Sequence, residues 1–188
     1  MIIGERVRLR RVEREDLPRF VRWFADPEVR AGLLMYFGIS LAMEERWFEQ
    51  VLQRPDDEQP LAIEVRTGRD QWEHIGSAGL HHIEWRNRSA ELGIVIGEKR
   101  YWNQGLGTEV IHLLLGHAFE TLNLWRVFLR VFEDNPRAQH VYEKAGFILE
   151  GRLRQAEFRR GTYRDVRLYS VLQEEWAKRA SNRDQESR

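Results

Sequence analysis

GIVIGEKRYWNQGLGTEVIHLLLGHAF, residues 93–119, runs an apolar strand pattern into a glycine-rich turn and out again into a helical one. The letters of that turn exclude two familiar uses. A P-loop needs Lys then Ser/Thr directly after its second glycine, but Thr108 and Glu109 follow Gly107 here. A dinucleotide fingerprint needs a third glycine where Val110 stands, and a βαβ setting in place of a meander. Two readings remain. One is an anion cradle: the strand ends at Gly97, glycine lets backbone approach a ligand, and the free amides of a helix start favour negative charge. Lys99 and Arg100 would add positive charge beside it. The other is a plain strand-to-helix turn that uses glycine for tightness.

Working outward, residues 60–66, 73–85 and 90–97 read as three strands joined by the turn clusters TGRDQ and RNRS, which makes an antiparallel meander. Before them, RVRLRRV (6–12) alternates at period two, Asp16-Leu17-Pro18 opens a helix with Phe20, Val21 and Phe24 on its apolar face, and Ser40 caps a helix over 41–53. The segment 27–39 between them predicts a short helical turn. Past the glycines, a helix from Thr108 carries Ile111, Leu114, Leu115, Ala118, Phe119 and Leu122 on one face and stops at Asn123. A strand at 126–132 follows. Asn135-Pro136 then starts a helix that Gly146 ends, and strands at 147–157 and 163–173 join at Arg160-Gly161.

The 188 residues predict one domain over 1–176 and a polar tail, 177–188, without fixed structure. Thirty basic residues balance thirty acidic ones. No global field therefore draws the chain to DNA or to an anionic membrane. The N-terminus breaks its apolar run after three residues, and no later run approaches the ~18 of a membrane span, so the expected setting is cytoplasmic. Zero cysteines exclude a disulfide framework, cysteine zinc sites and an acyl-thiolate intermediate on the protein. No metal is expected, because His81 and His82 are adjacent on a strand and face opposite sides by period two.

The order of these elements, with NQGLGTE after the fourth strand and NPRAQHVYEKAGF after the fifth, resembles the GNAT superfamily of acyl-CoA-dependent N-acetyltransferases over about residues 1–175. RVRLRRVEREDLPRFVRWFADPEV and GFILEGRLR are similar to the branch of ribosomal-protein N-terminal and spermidine acetyltransferases. The fold this implies is mixed α+β: a mostly antiparallel twisted sheet, splayed between the fourth and fifth strands, with helices on both faces. One letter departs from the superfamily pattern, Trp102 standing where Gln or Arg is usual.

The resemblance implies acetyl-CoA as cosubstrate and direct attack by a primary amine, either a protein N-terminus or a small amine. Backbone groups of Ile94, Val95 and Ile96 would take the pantetheine arm, and one of their amides would polarise the thioester carbonyl. Arg100, Gln104, Gly105, Leu106, Gly107 and Thr108 would hold the pyrophosphate, Asn135 the arm, and Arg137 the ribose phosphate. Tyr142 would serve the leaving thiolate. An amine must lose a proton before it attacks. The candidates to take it are Glu91 first, then His82 and Glu84. Homodimerisation through edge strands is compatible with this branch. Two other functions compete: a non-catalytic acyl-CoA-binding regulator, and an RNA-binding module resting on the arginines, against which the equal acid count weighs.

Overall fold

The computed structural model describes residues 1–186 apart from Leu34 and Arg160, with side chains as far as Arg179. Eight strands form one mixed sheet in the hydrogen-bonded order β1-β2-β3-β4-β5-β6-β8-β7. They are β1 (Ile2–Ile3), β2 (Val7–Arg11), β3 (Leu61–Arg66), β4 (Trp72–Glu84), β5 (Ser89–Ile96), β6 (Arg126–Phe132), β7 (Ile148–Arg159) and β8 (Thr162–Leu172). The helices are α1 (Leu17–Ala25), α2 (Pro27–Arg30), α3 (Leu41–Val51), α4 (Leu106–Gly116), α5 (Pro136–Ala145) and α6 (Gln173–Glu186). No helix among the described residues is long and apolar enough to cross a membrane. The contacts group into two compact units, Met1–His81 with Gly93–Leu113, and His82–Leu92 with Leu114–Arg188.

In the first unit β2 pairs antiparallel with β1 and β3, and β3 with β4. A core of Val12, Leu17, Phe20, Trp23, Val29, Phe48 and Ala62 gathers the apolar faces of α1 and α3. Phe20 sits edge-on to Trp23 at 5.5 Å and to Trp47 at 5.9 Å. Ser40 caps α3 as its sequence predicts, its hydroxyl accepting from the Met43 amide at 3.3 Å. Two of the buried carboxylates in this unit are matched by a guanidinium group: Arg10 donates to Asp16 at 2.7 and 2.8 Å and to Glu64 at 2.8 Å.

In the second unit β6 pairs antiparallel with β8, and β8 with β7. Its core includes Leu114, Leu115, Leu124, Val127, Leu129 and Tyr169, none more than 1 % exposed. Asn135 accepts from the Ala138 amide at 3.2 Å, Pro136 opens α5, and Gly146 closes it in the left-handed region at φ 106°.

The structure differs from the sequence reading in four places. A short first strand, β1, precedes the one expected, so the fourth and fifth predicted strands are β5 and β6. The helix expected from Thr108 begins at Leu106, because Gly105 turns the chain at φ 79° and its carbonyl takes the Glu109 amide at 3.2 Å. That helix ends in a π turn over His117–Thr121, with Asn123 left-handed at φ 54°. The tail expected to lack structure from Ala177 is helical to Glu186, and its last two residues lie outside the described ones. Its first turn explains this: Glu175 accepts from the Leu172 amide at 2.9 Å, and the buried Trp176 packs on Phe119. Of the hairpin pair, Gly161 has φ 79°, and Arg160 lies outside the described residues.

Candidate active site

The glycine-rich turn is built from the end of β5. Gly97 and Glu98 both donate their amides to the Ile75 carbonyl, at 2.8 and 3.2 Å. A Cβ on Gly97 would lie 2.2 Å from the Trp23 ring, so only glycine fits where the strand ends. Asn103 and Gly105, at φ 61° and 79°, reverse the chain into α4. The first amides of α4, from Leu106 to Thr108, have no acceptor within the helix and lie at its positive end. Arg6 secures the turn by donating to the Gln104 carbonyl at 3.0 Å, and Glu109 accepts from the Arg6 amide and Nε at 2.8 and 3.0 Å.

The charge expected of Lys99 and Arg100 is matched locally. Lys99 Nζ lies 2.8 Å from both Asp26 and Glu28, and Arg100 pairs with Glu73. Trp102, the departure from pattern, donates its indole N–H to the Ile96 carbonyl at 2.7 Å. Ile94, Val95 and Ile96 are half-buried. Among the described residues, parallel pairing of β5 with β6 covers only Ser89–Glu91 against Arg126–Phe128, which leaves the end of β5 beyond that ladder.

Ile94 and Val95 also border a cavity of about 430 Å³ in the first unit, whose other walls come from α1, the segment before α3, α3 itself and β4. Phe24, Met35 and Trp47 line it, whereas Tyr36 and Phe37 are 60 % and 82 % exposed, so the aromatic N-terminal half divides between core, cavity and surface. His81 lines the cavity too, 2.9 Å from where a Gly93 Cβ would lie. One acidic side chain joins the lining, Glu44, 5 % exposed. Burial pushes its carboxyl up to about 7. The sequence reading passed over Glu44. The signal lay in the α3 pattern, where a glutamate shares the buried i, i+4, i+7 stripe with Phe48 and Val51.

In the second unit, Tyr142 is buried against Phe147, ring centroids 6.0 Å apart. Burial pushes its phenol up to about 12. Its hydroxyl makes no hydrogen bond among the described residues. Asn135 spends its carbonyl oxygen on the α5 cap, and Arg137 is exposed. Glu91 is held by Arg130, Nε to Oε1 at 2.9 Å and Nη2 to Oε2 at 3.2 Å, while His82 Nδ1 lies 3.3 Å from Oε2. Burial acts to raise the Glu91 carboxyl, but the hydrogen bonds from Arg130 and His82 outweigh it and hold the group below its ordinary value. His82 is exposed, in a left-handed backbone at φ 51°, and Glu84 caps the following turn through the Arg86 and Asn87 amides.

A strand that ends at Gly97, a left-handed glycine turn and the start of a helix fit the anion cradle expected from the sequence. Residues 6–148 match the acetyltransferase (GNAT) domain, and the chain belongs to that family. It is an acetyl-CoA-dependent N-acetyltransferase. Among its relatives, an uncharacterised N-acetyltransferase of Bacillus subtilis, YoaA, is 32 % identical over 174 residues, covering 89 % of this chain and 94 % of its own. The ribosomal-protein-serine acetyltransferase of Escherichia coli is 37 % identical over 100 residues, 53 % of this chain and 55 % of its own. The crystal structure of spermidine N-acetyltransferase from Vibrio cholerae in complex with CoA and spermine superposes with a TM-score of 0.83 at 27 % identity, covering 93 % and 99 % of the two chains.

Proposed function

We propose that the acceptor is a protein N-terminal α-amine, with a small amine as the second reading. The observation that carries it is the cavity bordered by Ile94 and Val95: a half-open, mostly apolar space with one carboxyl among its described lining residues suits one ammonium group better than a polycation. An α-amine also titrates near ~8, against ~10 for an alkylamine, so a larger share is neutral and ready to attack near pH 7. Relatives named for both acceptor kinds, ribosomal-protein serine and spermidine, leave either chemistry within the family.

In this reading acetyl-CoA supplies an acetyl group activated as a thioester. The amides of Leu106, Gly107 and Thr108 bind its pyrophosphate, with Gln104 and Gly105 shaping the loop, and the main chain of Ile94 and Val95 takes the pantetheine arm. The Ile96 carbonyl is already engaged by Trp102, and Arg100 by Glu73, which narrows their part in binding. Asn135 and Arg137 are assigned to the arm and the ribose phosphate. Clamped by Arg130, Glu91 is suited to orient His82 more than to take a proton itself. Tyr142 donates a hydrogen bond to the departing sulfur. Full proton transfer from a phenol near 12 to a thiolate of pKa ~8.5 would be uphill by roughly 5 kcal/mol, so the bond stabilises the thiolate until water protonates it.

Calorimetry with acetyl-CoA, followed by thiol release against peptides, spermidine and aminoglycosides, tests the reading. Turnover on free-amine peptides that an N-acetylated peptide does not support is expected. CoA binding without release on any amine would leave a regulator instead.

A further inference from the structure

The carboxylates buried in the first unit differ in one respect. Asp16 and Glu64 have guanidinium partners, but Glu44, as deeply buried, has neither hydrogen bond nor ion pair among the described residues. A desolvated carboxylate without a partner is costly, and a fold usually matches or omits it. Glu44 is instead turned onto a cavity of about 430 Å³, within the ~300–1,000 Å³ typical of small-molecule sites.

The walls narrow the choice of occupant. A divalent cation needs about six oxygen ligands, and the lining offers one carboxylate among Phe, Trp, Met, Leu and Ile side chains. A polyamine carries several ammonium groups, and among the described residues of the wall His81 is the one titratable side chain besides Glu44. Aromatic faces from Phe20, Phe24 and Trp47 favour a cation close by and an apolar body beyond it.

We infer that the cavity is the acceptor site, that Glu44 pairs with the acceptor's ammonium group, and that the accepted class is a primary amine carrying one positive charge beside an apolar group. This rests on the transferase reading and adds the acceptor's chemistry to it. The same chemistry occurs in a free arylalkylamine and in a polypeptide that begins with an apolar residue.

Direct binding tests it without requiring turnover. Titration calorimetry would compare phenethylamine, 2-phenylethanol, spermidine and a short peptide beginning with Phe, against the wild-type chain and Glu44→Gln, with and without CoA. The expected result is that phenethylamine binds more tightly than spermidine, that Glu44→Gln weakens phenethylamine at least tenfold while leaving 2-phenylethanol and CoA unchanged, and that Glu44→Asp restores part of the loss. Unchanged CoA binding shows that the variants are folded. Peptide binding that N-acetylation abolishes would make the source a polypeptide terminus, and binding of phenethylamine alone would make it a small amine. Spermidine binding as tightly as phenethylamine, phenethylamine binding that ignores Glu44→Gln, or no amine binding to the wild-type chain would overturn the assignment. Glu44-dependent binding without thiol release from acetyl-CoA would sink the transferase reading and leave the pocket standing.

Discussion

Replacing Glu44 by Gln should make the protein more stable at pH 8 and bring little gain at pH 5. The unfolded carboxyl titrates near its model value of 4.5, and burial raises the folded one to about 7. Between those values the native state holds a proton that the unfolded state has released, so this contribution to stability is fully present below about 4.5 and is lost as the pH rises through 7. A shift of that size corresponds to about 3 kcal/mol at ~1.4 kcal/mol per pH unit. Gln has nearly the same shape and never ionises. The stability gap between the variant and the wild type should therefore widen by up to about 3 kcal/mol between pH 5 and pH 8. At an m-value of ~2–3 kcal/mol/M, this moves the relative urea midpoints by about 1 M. Other titrating groups cancel in the difference. Urea melts of both proteins at the two pH values measure it. A difference that does not change with pH would show that Glu44 is solvated or paired in the native state and would refute the reasoning.

Three further outcomes follow from the same structure. Tyr142→Phe should lower kcat by on the order of 10²-fold and leave the Kd for CoA unchanged. Because the hydroxyl has no protein partner among the described residues, its urea midpoint should stay within error of the wild type. Gly97→Ala drives a Cβ to 2.2 Å from the Trp23 ring and should cost about 1–3 kcal/mol, read as a fall in Tm. Asp16→Asn should cost about 3–5 kcal/mol at pH 7, because the variant removes the buried charge that Arg10 pairs with and that lies 3.0 Å from His74 Nδ1. Burial acts to raise the Asp16 carboxyl, but the hydrogen bonds from the Arg10 guanidinium, with His74 close by, hold it well below the carboxylate range. Its contribution is thus present at neutral pH and lost in acid, and the gap between variant and wild type in urea melts should narrow as the pH falls below 4.

Much of the fold was legible because its signals are local. Ser40 capping α3, Asn135-Pro136 opening α5 and Gly146 closing it are each decided by a few adjacent residues and the backbone angles those residues prefer. Gly105 was legible as a turn for the same reason, although the exact start of α4 depended on which carbonyl the Glu109 amide would find. What escaped the sequence depends on distant partners. β1 has only two residues, too few for any period to show, and exists through its pairing with β2. The tail becomes helical because Trp176 meets Phe119, about sixty positions earlier. Glu91 was identifiable as a carboxylate near the strand that matters, but its clamp by Arg130, 39 residues away, was not, and that clamp changes what it is suited to do. Lys99 and Arg100 looked like free charge for the same reason. Glu44 was overlooked because a single polar letter in an apolar stripe is ordinarily read as noise, and only a cavity beside it gives the letter meaning.

The indole of Trp102 bonded to the Ile96 carbonyl, beside a lysine and an arginine already neutralised by their own neighbours, leaves the turn with little side-chain charge to offer a ligand. Under the proposed reading, attraction for the phosphates of CoA then falls to main-chain dipoles that are fixed in direction and part of the scaffold. Such a grip is short in range and varies little with ionic strength, unlike a cluster of mobile cations. It is also hard to erode by exchanging side chains along 98–104.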